Sequence, residues 1–243
     1  MIDKIKQMLI AYVRIVNDFV AAVSFQRAGK KNVVAAVLVV LFLSAFITLE
    51  WNVFLNPATD FWGWQVMASA YALAVAIGLL MVFRVIVTPK YHTFFYTALF
   101  FLMPVASMQM VECFNGNFIY IFSPTTFGLN YIAYLMLYVA VFFVCGRFRM
   151  TVGIVNVVLI IFGTANYFVD LFRGTPLVPM DIFSIRTGLN VAAGYDFRLS
   201  WQVIMACLMF MAIMLLNRQM VNLKAQLGRK RWAVKATALA YVL

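Results

Sequence analysis

Runs of about twenty consecutive, mostly apolar residues recur six times along the chain, and a run of that length is what a helix needs to cross a bilayer. The hydrocarbon core offers no water to backbone N–H and C=O groups, so a spanning segment must satisfy them internally, as a helix does. The spans read as Val33–Leu49, Phe61 to Arg84, Thr93–Val111, Phe127–Cys145, Thr151–Phe172 and Leu199–Leu216. Trp51 marks the far interface of the first, and Phe61, Trp62 and Trp64 form an aromatic belt at the start of the second. Pro104 lies inside the third, where it removes an N–H donor, frees the carbonyl of Phe100 and predicts a kink. With 65% hydrophobic and 11% charged residues, the composition is that of a polytopic membrane protein and excludes a water-soluble domain. The expected fold class is all-α: a helical bundle of six transmembrane helices plus surface-lying helices.

The charges order this bundle. With the N-terminus in the cytoplasm, sixteen lysines and arginines fall inside and three outside: Arg173, Arg186 and Arg198. The acids Glu50, Asp60, Glu112, Asp170, Asp181 and Asp196 all fall outside. The net charge of +11 is thereby explained by topology and by attraction to anionic inner-leaflet lipid, with no nucleic acid as partner. Three domains follow. Residues 1–31 form a cytoplasmic amphipathic segment, with Ile2, Ile5, Leu9, Tyr12, Val16, Phe19, Val20 and Val23 on one stripe and Asp3, Lys4, Gln7, Arg14 and Asp18 opposite. Residues 32–217 form the six-span domain, including an outer interfacial segment, 173–198. Residues 218–243 form a basic cytoplasmic loop and, from Trp232, the start of a seventh span that reads as truncated. Cys113, Cys145 and Cys207 have no metal-binding or redox spacing, and the single His92 reads as an interfacial residue.

The outer interfacial segment breaks the apolar pattern. Gly174, Thr175, Pro176 and Pro179 form a helix-breaking motif directly after the fifth span. Asp181 then reads as an N-cap whose side chain accepts from the N–H of Ser184, opening a short amphipathic helix with Ile182, Ile185, Leu189 and Ala192 on its apolar side. Gly194 is its stop, and about twelve residues are too few to span, so the helix lies in the membrane surface. Asp170, Arg173, Asp181, Arg186 and Asn190 are the candidate polar cluster. Its guanidinium groups suit a lipid phosphate; the competing reading is an internal salt bridge, Arg173 to Asp181, that fixes the loop. Asn156, Thr164 and Asn166 in the fifth span and Gln65 in the second read first as interhelical hydrogen-bonding groups. There is no activated nucleophile, Gly-rich phosphate cradle or metal-ligand cluster, so no catalytic or metal residue is assigned.

Asn166-Tyr-Phe-Val169, Phe172-Arg-Gly-Thr-Pro-Leu-Val-Pro-Met-Asp-Ile182 and Asn190-Val-Ala-Ala-Gly-Tyr-Asp-Phe197 resemble the membrane portion of lipoteichoic acid synthase-like phosphoglycerol transferases of the sulfatase / alkaline phosphatase superfamily. The resemblance is most specific over residues 166–197; Glu112 and the Asn130 region fit it loosely, and the first hundred residues add only hydropathy. It implies spans that anchor an extracellular catalytic domain carrying a threonine nucleophile and manganese or magnesium. That domain moves glycerol phosphate from phosphatidylglycerol during cell-envelope polymer synthesis. The chain reads as stopping before such a domain, so no cofactor belongs to it and it is expected to be inactive alone. The implied partners are anionic lipid, phosphatidylglycerol among them, and envelope-synthesis or division proteins; the implied site is the plasma membrane. A small self-contained transporter or flippase-like protein is the alternative, and it calls for charges deep in the spans or an inverted repeat.

The charge asymmetry predicts that the segment at Ser123 is outside and Lys224 inside. Single cysteines at these positions, in a background without native cysteines, are to be treated with an impermeant thiol reagent on intact cells. Labelling at 123 alone is expected; labelling at 224 alone reverses the topology.

Overall fold

The computed structural model describes residues 23–55, 63–116, 123–178, 180–181 and 199–219. The N-terminal stripe, most of the outer interfacial helix and the seventh apolar run lie outside these residues. Seven helices and one two-stranded ribbon follow in the order β1 (Val23–Arg27), α1 (Lys30–Leu49), α2 (Trp51–Phe54), α3 (Gly63–Val82), β2 (Phe83–Val87), α4 (Pro89–Phe114), α5 (Pro124–Cys145), α6 (Phe148–Arg173) and α7 (Trp201–Gln219). All but α2 are long and apolar enough to cross a membrane, α4 through its Thr97–Phe114 part. The protein is an all-α polytopic bundle, and its helix limits lie within a few residues of those expected from hydropathy.

The spans alternate in direction, so one end of the bundle collects Lys30, Val82, Arg147 and Gln219 and the other collects Leu49, Phe114, Pro124 and Arg173. These are the basic end and the Arg173 end. Chain order is not spatial order. The last span, α7, packs against α3, α4 and α6. Helix α5 lies across α4 and α6, while α1 is outermost and rests on α3. Val203, Ile204, Met205, Ala206, Leu208, Ala212 and Ile213 of α7 are accordingly buried, whereas Leu129, Ile132, Met136 and Val144 of α5 are exposed apolar residues of a lipid-facing surface.

Close approach between spans rests on small residues, the usual device where lipid is as apolar as the side chains. Gly78 of α3 admits Val40 of α1 at a point where a Cβ would collide with it. Gly163 of α6 takes the ring of Phe114, which a Cβ would meet at 2.6 Å. Near the basic end, Phe100, Phe142 and Phe148 bind α4, α5 and α6 together, with Phe100 and Phe148 stacked at 4.5 Å.

Helix α4 continues unbroken through the buried Pro104. The hydroxyl of Tyr131 donates to the carbonyl of Phe101 at 3.1 Å, giving this turn a hydrogen bond from a neighbouring helix. One helical turn after Met103, Ser107 joins Tyr138 and Asn156 in a fully buried polar cluster. Asn156 Nδ2 donates to Tyr138 Oη at 2.6 Å and to the Val152 carbonyl at 2.9 Å, and Ser107 Oγ donates to Asn156 Oδ1 at 2.8 Å. The Tyr138 hydroxyl closes the ring on Ser107 Oγ at 2.6 Å. Three helices thus share one ring in which each donor has an acceptor. Asn156 is the interhelical bonding residue its position in the fifth span suggests.

Removing one member strands two others. Tyr138→Phe is expected to destabilise the bundle by about 1–2 kcal/mol in detergent unfolding. The triple variant Ser107→Ala, Tyr138→Phe, Asn156→Leu is expected to lose less than the sum of its three single changes, because it leaves no orphaned polar group. Additive losses would show that the three side chains act independently.

Candidate functional site: the loop after helix α6

Helix α6 ends at Arg173 because Gly174 adopts a left-handed conformation, φ +68°, that few side chains tolerate. Its N–H donates to the carbonyl of Asp170 at 2.7 Å, which caps the last turn. The chain then folds back along the helix it has left. Asn166 Oδ1, two turns before the end, accepts from the N–H of Leu177 at 2.8 Å. Asn166 therefore serves the loop, and its interhelical role expected from sequence is replaced by an intrasegment one. A loop amide beside a span needs such an acceptor.

Asp181 was expected at the N-cap, accepting from Ser184, a residue outside those described. Among the described residues, its Oδ2 accepts from the N–H of Val178 at 2.8 Å, while its own N–H donates to the Val178 carbonyl at 2.9 Å. The carboxylate thus closes this turn on the Val178 amide, as the reach-back half of a capping box does, and the second bond is backbone to backbone. The other carboxylate oxygen, Oδ1, faces a cation.

That cation is Arg173. Its Nη1 donates to Asp181 Oδ1 at 2.8 Å and its Nε to Thr175 Oγ1 at 3.1 Å. The ion pair closes residues 174–180 into a ring of chain. Among the described residues, Nη2 of Arg173 has no partner, and the side chain is half exposed. The Arg173 guanidinium, followed by the Val178 N–H, holds the Asp181 carboxyl below the ordinary carboxylate range. Between the two sequence readings of Arg173, the internal salt bridge is the one the geometry contains.

Of the remaining candidates, Asp170 is exposed in the last turn of α6 and contributes its carbonyl. Pro176 is extended loop, and Pro179, Arg186 and Asn190 lie outside the described residues. Gln65 is exposed near the start of α3, and its carbonyl accepts from the Ser69 hydroxyl. No group of three His, Cys, Asp or Glu side chains able to hold a metal occurs among the described residues. Among the described residues of this loop, Asp181 is bound to Arg173 and Asp170 offers one further carboxylate. Comparison with protein-family models, with curated proteins and with solved structures gives no match.

Sequence reasoning missed Gln219 at the basic end. Its Nε2 donates to the carbonyls of Leu80 and Phe83 at 3.2 and 3.0 Å, and its Oε1 accepts from the Val85 N–H at 3.4 Å. Nothing in the local pattern singles out a glutamine at the polar end of a span. Nearby, Asn217 of α7 donates to the Arg149 carbonyl at 3.0 Å and so ties α7 to the start of α6.

The Asp181 pKa is lowered by folding, so its contribution to loop order is complete above the ordinary carboxylate range and is lost as pH falls through the lowered value. Hydrogen exchange at the Leu177 and Val178 amides is expected to be flat from pH 7 to pH 5, after correction for intrinsic rates, and to accelerate below about pH 4. Asp181→Ala should show the accelerated, pH-independent behaviour throughout. Unchanged protection in Asp181→Ala would mean that Asn166 alone holds the loop.

Proposed function

We propose that this chain is a membrane-embedded platform for cell-envelope polymer chemistry, of the kind that anchors lipoteichoic acid synthase-like phosphoglycerol transferases. The observation that supports it is the pinned loop of residues 174–181, carried on a bundle whose described buried polar residues, Ser107, Thr151, Asn156 and Asn217, bear no charge. Transport of a charged solute calls for ionisable groups inside the spans; a platform needs only rigid spans and a defined interfacial surface. In this reading the protein lies in the plasma membrane with its N-terminus in the cytoplasm, as the charge asymmetry directs, and the Arg173 end faces outward.

The loop's place in that function is to set the height and angle at which the outer interfacial segment leaves α6. Its partner is an anionic phospholipid such as phosphatidylglycerol, whose phosphate the Nη2 group of Arg173 can meet while Nη1 stays on Asp181. The carboxylate cancels most of the local positive charge, so the contact orients a headgroup more than it captures one. Division or envelope-synthesis proteins are the macromolecular partners of this reading. Manganese or magnesium would belong to a separate catalytic domain, and no reaction step is assigned to the residues described.

Purified chain in vesicles of phosphatidylglycerol with added manganese is expected to release no diacylglycerol. Metal-dependent release above that of empty vesicles, abolished by Asp181→Ala, would overturn the platform reading and make the segment catalytic.

A further inference from the structure

The β-ribbon at the basic end is absent from any hydropathy reading, and its placement is specific. Strand β2 joins α3 to α4, and both of those helices pack on α7. The strand therefore crosses the end of α7, where Gln219 holds the carbonyls of Leu80 and Phe83 and the N–H of Val85. Strand β1 pairs antiparallel with it, Phe25 opposite Val85 and Gln26 opposite Arg84. The Ala28 N–H continues the ladder to the Val82 carbonyl at 2.7 Å, and α1 starts two residues later. Both strands thus run directly into the ends of helices long enough to span, the level at which, in a bilayer, hydrocarbon gives way to headgroups.

A ribbon of two short strands is marginal in water, and this one leaves Phe25 69%, Ile86 44% and Phe83 38% exposed. Each of its faces also carries a cation: Arg27 beside Phe25 and Phe83, and Arg84 beside Ile86. Lys30 and Lys31 open α1 in a first turn with no acidic residue. Arg147, Arg149 and Arg218 stand at the same end, and among the described residues no acid does. Apolar side chains at headgroup depth, interleaved with cations and free of acids, complement a lipid that is apolar below and anionic above.

We infer that this ribbon is an anionic-phospholipid site: Phe25 and Phe83, on one face, enter the acyl boundary of the leaflet at the basic end, and Arg27 on that face and Arg84 on the other take lipid phosphates. The site lies at the opposite end of the bundle from the loop after α6 and stands whatever that loop does. Among the described residues the outer edge of β1 is unpaired, but a peptide pairing there would need nothing apolar or cationic.

The test uses the full chain in vesicles, with Cys113, Cys145 and Cys207 replaced and a fluorescent label on a cysteine at Gln26. The vesicles contain both phosphatidylcholine and phosphatidylglycerol, with a quenching spin label carried high on the acyl chain of one or the other. Quenching is expected with either lipid and should be stronger when phosphatidylglycerol carries the spin label. That preference should fall about fivefold for each of Arg27→Gln and Arg84→Gln and persist in the lysine variants. Absence of quenching would place the ribbon in water, open to a soluble partner, and overturn the proposal. Equal quenching by the two lipids would overturn it as well, leaving an apolar contact without a phosphate site. The comparison of the two lipids needs neither arginine changed, so it decides the matter even where charge removal prevents folding.

Discussion

In a bundle surrounded by lipid, a polar group away from the ends must find its partner within the protein. The ring of Ser107, Tyr138 and Asn156 meets that requirement with three side chains from three helices, and it thereby fixes the rotation of α4, α5 and α6 about their axes. Apolar packing alone does not set rotation well, because one leucine-rich face is nearly as good as the next. The phenylalanine cluster of Phe100, Phe142 and Phe148 then fills the space beside the ring, toward the basic end. The position of Gly163 under Phe114 depends on the same rotation of α6. With α6 set, its C-terminal turn presents Asn166 to Leu177 and Arg173 to Asp181.

The two ends of the bundle are built by opposite means. At the Arg173 end, a side-chain carboxylate and a side-chain amide hold a backbone loop, so order there depends on ionisation. At the basic end, Gln219 and Asn217 hold backbone groups through neutral amides. Neutral amides keep their bonds at any ordinary pH and do not engage the charges of the surrounding arginines and lysines. A surface crowded with cations toward one leaflet is better served by supports that do not consume its charge.

The six spans were legible because length and hydropathy are properties of each segment alone. The break after α6 was legible for the same reason: Gly174, Pro176 and Pro179 act on their own backbone. Asp181 is legible as a residue whose side chain caps backbone amides, but its bond back to Val178 is not. A capping side chain can serve an N–H ahead of it or behind it, and the cation that pairs with this one lies eight residues upstream. The Ser107 and Tyr138 partners of Asn156 gave no signal, since serine and tyrosine are ordinary in spans and their depth matters only once helices are paired. The β-ribbon was invisible because Phe83–Val87 reads as the end of an apolar span and Val23–Arg27 as the end of an amphipathic stripe. Only their pairing across some sixty residues makes either a strand.

The central position of α7 bears on how the protein is made. Synthesis delivers helices to the bilayer from the N-terminus onward, so α3, α4 and α6 arrive before the span that all three pack against. Until then the faces of these helices that α7 will cover have only lipid or one another as neighbours. The ring shared by α4, α5 and α6 needs no residue of α7, so those three can assemble first as a nascent subunit. Helices α1 and α3 form a second pair, joined at Gly78 and by the hydroxyls of Thr48 and Tyr71. Arrival of α7 then welds pair to trio, which makes the insertion of one late segment the step on which maturation of the whole bundle turns.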